Sequence, residues 1–141
     1  PELPSGMAQA LRAGLPPEAS IANPMDLLAD AREDRFALTL KAGLQTDPGH
    51  FDAILMIHVV PFMVEAAPVV KLLAQECSGA RLPILHSMMG TLEHREEWFS
   101  TMEWAGVPTF RDAEEMCAAA GMLMRYRELN ASHRSIIRGN E

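Results

Sequence analysis

The chain has 141 residues, 48% of them hydrophobic and 22% charged, which is the balance of one ordinary globular domain with enough apolar material for a core. Its formal net charge of −7 argues against a broad nucleic-acid surface, which needs an excess of Lys and Arg. No apolar run approaches the ~18 residues of a membrane span. Beginning at Pro1 with no basic-then-apolar leader, the sequence reads as part of a cytoplasmic polypeptide that has been processed or trimmed.

The first predicted element is a helix over "SGMAQALRAGL", with Ser5 as its N-cap and Met7, Leu11 and Leu15 on one face. "LPPEASIANPMDLL" carries three prolines and is predicted to be an irregular connector. Within it, Asn23-Pro24 sets an extended turn, and Asp26 just beyond is free to accept backbone N–H groups. A second helix follows from Asp30. Asp30 and Glu33 have capping-box spacing, and Phe36, Ala37, Leu40 and Leu44 form the buried stripe.

"FDAILMIHVVPF" then brings an almost unbroken apolar run, Ala53 to Val60, interrupted only by His58. Such a run predicts a strand over 52–60 that is buried on both faces, with a neighbour on each side. Everything before it reads as helix and loop, so the expectation is an interior strand whose second neighbour lies outside this chain. A helix over Glu65 to Ser78 comes next, with Pro68 placed in its first turn. "RLPILHSMMG" is a second strand, Pro83 to Met88, stopped by Gly90. "TLEHREEWFSTMEWAG" is a helix carrying Leu92, Phe99 and Met102 and ended by Gly106. "VPTF" is a very short third strand. The last long helix repeats the capping-box spacing at Asp112 and Glu115 and directs Met116, Ala120, Leu123 and Met124 to the core. The tail "ASHRSIIRGNE" has no period and reads as a frayed end or linker. Three strands joined by helices predict a right-handed parallel α/β sheet.

Little in the chain carries chemistry outright. Cys77 and Cys117 lack metal or redox spacing and read as two reduced core thiols. His58 reads as a hydrogen-bonded core residue. His86 lies toward the C-terminal end of its strand, the edge at which open α/β sheets collect ligands. His50, His94 and His133 read as exposed, and no pair has metal spacing on one helix face, so no metal site is expected. Ser87 and His86 cannot act as a nucleophile–base pair, because adjacent strand residues point to opposite faces. No glycine-rich loop joins a strand to a helix, so neither a dinucleotide fingerprint nor a P-loop is present. The segment by itself is therefore not expected to be catalytic.

The order of the motifs resembles one family. Leu15-Pro16-Pro17, then Asn23-Pro24-Met25-Asp26-Leu27, then Asp30 and Phe51-Asp52 before an apolar strand closed by a proline, are similar to the pattern of the NDP-forming acyl-CoA synthetases, relatives of succinyl-CoA synthetase. "LPILHSMMG", with Met89-Gly90, and "WAGVPTFRDAEEMCAAAGMLMRY" continue the likeness over nearly the whole chain. Met25, Thr91 and His86 depart from the residues usual in the family. The resemblance implies a flavodoxin-like, three-layer αβα ligase domain with a short parallel sheet over 1–129. Its N-terminal strand and glycine-rich loop would be missing, and 130–141 would be a tail or interdomain linker. It also implies a parent enzyme that interconverts acyl-CoA, ADP and phosphate with acid, CoA and ATP through a phosphohistidine in another domain. The implied partners are sister CoA-binding, phosphohistidine and ATP-grasp domains. CoA, ADP/ATP and Mg belong to that parent, with no cofactor in this segment. Asn23, Asp26, His86 and Gly90 are the residues expected to position or dock the phosphohistidine. The alternative is a stand-alone or regulatory flavodoxin-like binding module, including one from a protein acetyltransferase fusion.

Overall fold

A computed structural model describes residues 1–60 and 62–138, with side-chain surroundings through residue 131. In chain order the described residues form helices α1 (Ser5–Gly14) and α2 (Glu33–Leu44), strand β1 (Ile54–Val60), helix α3 (Ala66–Cys77), strand β2 (Ile84–Gly90), helix α4 (Arg95–Trp104), strand β3 (Thr109–Phe110) and helix α5 (Ala113–Arg138). The three strands are parallel and ordered β1-β2-β3. The pairing runs from Ile54 opposite Ile84 to Val60 opposite Gly90. The architecture is an α/β, flavodoxin-like αβα sandwich around a short parallel sheet.

Handedness explains the layers. Two right-handed crossovers stepping the same way across the sheet put α3 and α4 on one face. There they join α2 over the even-numbered strand residues. Leu40, Val69, Val70, Leu73, Trp98 and Met102 close a core with Val60, Ile84 and Met88. Beyond β3 the chain turns back, and α5 crosses the other face of β2, burying Met116 where Leu85 and Ser87 are also buried. α1 packs on α2, with Leu11 and Leu15 buried as its periodicity predicts.

Local chemistry accounts for most element ends. Pro68 is the third residue of α3, where its missing N–H would have had no partner in the helix. Asp112 caps α5, its Oδ1 accepting from Glu115 N–H at 2.7 Å as the sequence spacing predicts. Gly90 has φ 101°, and a Cβ there would sit 2.6 Å from the Val60 carbonyl oxygen, so only glycine lets the ends of β1 and β2 approach.

Several expectations are corrected. α1 is capped by Pro4, with no side-chain cap bond from Ser5. Asp30 does not cap α2, which begins at Glu33. Its carboxylate instead takes two hydrogen bonds from the Arg35 guanidinium, at 2.7 and 3.1 Å, and the fork geometry of arginine outcompetes a single backbone amide. Helix α5 extends through Arg138, well into the segment that lacks a visible period. Cys77 is buried, but Cys117 is exposed on α5 rather than in the core.

Strand β1 has β2 as its one neighbour among the described residues, so the second neighbour expected from the sequence is not supplied by them. Its even residues face the core, while Leu55, Ile57 and Val59 are 44%, 54% and 59% exposed. The apolar run is therefore real, but only one of its faces is covered. Beside it, Met122, Leu123, Tyr126 and Leu129 of α5 are exposed too, whereas Leu123 and Met124 read from the sequence as core-facing. Geometry gives the reason. α5 covers ~21 Å between Ala113 and Arg127, at ~1.5 Å per residue. That returns it to the start of β1, where Arg127 pairs with Asp52. Along the way its flank looks out over the open face of β1.

Candidate functional site

Three places in the molecule hold the residues singled out by sequence. The first is the connector between α1 and α2. Asn23-Pro24 is a cis peptide. The Asn23 amide donates to the Pro1 carbonyl at 2.9 Å. Asp26 exchanges both backbone hydrogen bonds with Ser20, at 3.0 Å, in an isolated antiparallel bridge, and its Oδ1 accepts from Leu28 N–H at 2.9 Å. This is the Asx-type turn the sequence suggests: short polar side chains satisfy donors that the prolines leave without a regular ladder. Leu28 carries φ 72°, a left-handed conformation that costs a leucine about 1–3 kcal/mol and persists only where its surroundings fix it. The fixing contacts are the Asp26 carboxylate on its N–H and Ala31 N–H on its carbonyl. Arg35 braces the same loop from α2, donating to the Leu27 carbonyl at 3.1 Å. Nothing in the composition marks Leu28; the Asp-x-Leu turn only becomes strained once Arg35 and the bridge close around it.

The second place is a groove of about 680 Å³ that runs beside the free edge of β1. One wall is the connector, including Asn23 and Asp26, and another is α2 with Phe36, Thr39, Leu40 and Gly43. The third is the C-terminal end of the sheet, where Gly90 lies against Val60. No hydrogen bond joins any two of Asn23, Asp26, His86 and Gly90.

His86 is not at the sheet's C-terminal edge. β2 continues to Gly90, which leaves His86 third of seven residues and completely buried. The missing signal was strand length: the Met-Met-Gly that follows belongs to the strand, not to its exit turn. His86 instead pairs with His58 across the strands. Their rings stack at 5.9 Å between centroids and 23° between planes, and Phe36 tilts against His58 at 5.1 Å. Nδ1 of His58 and both ring nitrogens of His86 have no hydrogen-bond partner, and neither does the buried Ser87 hydroxyl on the opposite face. Without acceptors or a carboxylate nearby, burial holds both imidazoles neutral. It pushes His58 down to about 4, and burial followed by repulsion from His58 pushes His86 to about 3. A base of that strength, enclosed in apolar surroundings, is poorly suited to proton transfer near neutrality.

Among the described residues no cluster of three or more His, Cys, Asp or Glu side chains could hold a metal ion. No helix among them is long and apolar enough to cross a membrane.

The fold can be set beside known proteins. No family model matches the chain. Over 122 residues it is 30% identical to the acetate–CoA ligase [ADP-forming] II subunit alpha of Pyrococcus furiosus, an alignment covering 83% of this chain and 26% of that subunit. It also superposes on the crystal structure of PH0766 from Pyrococcus horikoshii OT3 with a TM-score of 0.74 and 28% identity, covering 84% of this chain and 28% of that one. In sequence and fold the chain resembles a flavodoxin-like domain of the ADP-forming acyl-CoA ligases. The chain spans about a quarter of the length of the Pyrococcus furiosus alpha subunit that it matches.

Proposed function

We propose that the chain serves as one domain of an ADP-forming acyl-CoA ligase. The parent would interconvert acyl-CoA, ADP and phosphate with the free acid, CoA and ATP, through a phosphohistidine carried by a sister domain. The chain contributes a docking surface rather than reacting groups. The observation that carries this reading is the alignment of 122 residues, nearly the whole chain, with a subunit whose name states the ligase activity. A non-catalytic role is supported by the interior, where burial lowers the two histidines to about 4 and about 3 and keeps them neutral and weakly basic.

In this reading Asn23 and Asp26 act from the connector. Their turn hydrogen bonds aim a rigid polar lip along the groove, and each keeps acceptor capacity for a docked partner. Gly90 allows close approach of backbone at the C-terminal end of the sheet. His86 works indirectly, by filling the core beneath that end. CoA, ADP/ATP and Mg are held by other parts of the parent.

The test uses the full-length gene product, assayed for ATP formation from acyl-CoA, ADP and phosphate. Activity is expected there and not in residues 1–141 alone, and Asn23→Ala or Asp26→Ala is expected to slow the full-length enzyme while leaving its circular dichroism unchanged. Turnover by the 141-residue chain alone, or an inactive full-length product, would overturn the proposal.

A further inference from the structure

Strand register gathers four metal-binding side chains on the core face of the sheet. Met56 lies opposite His86, and His58 lies opposite Met88. Met88 belongs to the core cluster, Met56 packs against it, and the two imidazoles stack on the same face. Neighbouring strands are ~4.8 Å apart and alternate residues of one strand ~6.6 Å apart, so the four positions mark the corners of a small rectangle. The imidazoles occupy one diagonal and the thioethers the other. Such a diagonal is ~8 Å long at the backbone. The ring centroids are only 5.9 Å apart, so the two imidazoles lean toward each other over the middle of the rectangle. That spacing leaves room for one ion bonded at ~2 Å to a nitrogen of each ring.

The donors are unengaged. His58, His86 and Met88 are buried, and neither Nδ1 of His58 nor either ring nitrogen of His86 has a hydrogen-bond partner. Buried polar atoms are nearly always paired, so three orphaned nitrogens in one cluster call for a ligand. Burial pushes the two rings to about 4 and about 3, which leaves each with a free lone pair and no proton to displace at neutral pH. The same surroundings select the ion. All four donors are neutral, and among the described residues no carboxylate or thiol completes a cluster with the two histidines. Desolvation rises with the square of the charge, so a divalent ion is penalised about fourfold more than a monovalent one. Thioether and imidazole together are a soft-to-borderline set, matched to copper(I). Met56 and His58 also line the groove, which gives an ion a way in.

We propose that Met56, His58, His86 and Met88 form a binding site for one copper(I) ion between β1 and β2. Spacing along the chain gives no sign of it. Each opposed pair is separated by 30 residues (86 − 56 and 88 − 58) and meets only through the strand register. The ligase reading assigns no metal to this segment, and the site stands independently of that reading.

The probe is Cu(I) alone, added without oxygen to the full-length gene product carrying methyl-labelled methionine, with a chromogenic Cu(I) chelator as competitor. Met56→Leu and Met88→Leu assign the two methyl signals by nuclear magnetic resonance. Those signals should shift together, at lower copper than the signal of exposed Met122, and Zn(II) should move neither. Met88→Leu, which nearly conserves volume, removes one ligand. It should weaken binding by at least the ~10–100-fold that follows loss of an outer-shell partner. His58→Phe with His86→Phe should abolish the joint shift. Copper that moves neither methyl, or moves them only together with Met122, would overturn the proposal. So would an equal response to Zn(II), or equally tight binding by Met88→Leu. The last comparison stands even where the double histidine variant fails to fold.

Discussion

Acid should unfold this domain through two residues. His58 and His86 ionise near 6.5 in an unfolded chain, but burial lowers them to about 4 and about 3 in the native state. The unfolded state therefore binds more protons between those values, and stability falls as pH drops from about 6.5 toward 3. Integrating the linkage relation to pH 5 gives a loss of about 2 kcal/mol for each imidazole, or about 4 kcal/mol for the pair. At pH 7.5 the loss is close to zero. Against a total stability of about 5–15 kcal/mol, this is a large fraction. Few other groups intrude on the window. The Asp30 carboxylate is held below 3.8 by its hydrogen bonds with Arg35, so its contribution is lost only under stronger acid. Urea unfolding followed by circular dichroism at pH 7.5 and pH 5 measures the effect. With a slope of ~2 kcal/mol per molar, the midpoint should fall by ~2 M. A double variant, His58→Phe with His86→Phe, keeps a planar ring at each position and removes both titrations, so its midpoint should be nearly the same at the two pH values. Equal midpoints in the unmodified protein, or a full acid shift that survives in the double variant, would show that the two imidazoles are not the buried neutral pair described here.

Other perturbations have distinct signatures. Gly90→Ala should cost about 1–2 kcal/mol from its left-handed backbone alone, with a further loss from the clash against Val60, whereas Gly49→Ala, also at positive φ but in open space, should cost only the backbone part; urea midpoints of the two variants compare them. Asp112→Ala removes the cap of α5 and should lower stability by ~1 kcal/mol, read from thermal unfolding, with Asp112→Asn restoring most of it. Thiol titration of the native chain at neutral pH should consume one equivalent of reagent quickly, from exposed Cys117. The buried Cys77 thiol, pushed up to about 11 by burial and by neighbouring Glu76, should react only on unfolding.

Periodicity and turn chemistry lie within short windows of sequence, and they were sufficient for the order of helices and strands, the burial of Leu11 and Leu40, and the cap at Asp112. Each depends on residues three or four apart, or on a single turn. The motif order along the chain was likewise enough to indicate the ligase family. Tertiary structure decided what depends on distant partners. The apolar residues of β1 announce a buried strand, but whether a strand has one neighbour or two is a property of the sheet, and here Leu55, Ile57 and Val59 remain uncovered. The exposed flank of α5 follows from the same open face. Asp30 was free to cap a helix until Arg35 came within reach of both its oxygens. His86 could be read as an edge residue until pairing with β1 carried β2 on to Gly90 and stacked the imidazole on His58, 28 positions away in a different strand. Burial and hydrogen-bond competition are set by the whole packed chain, so the chemistry of a polar side chain became legible only when its neighbours were in place.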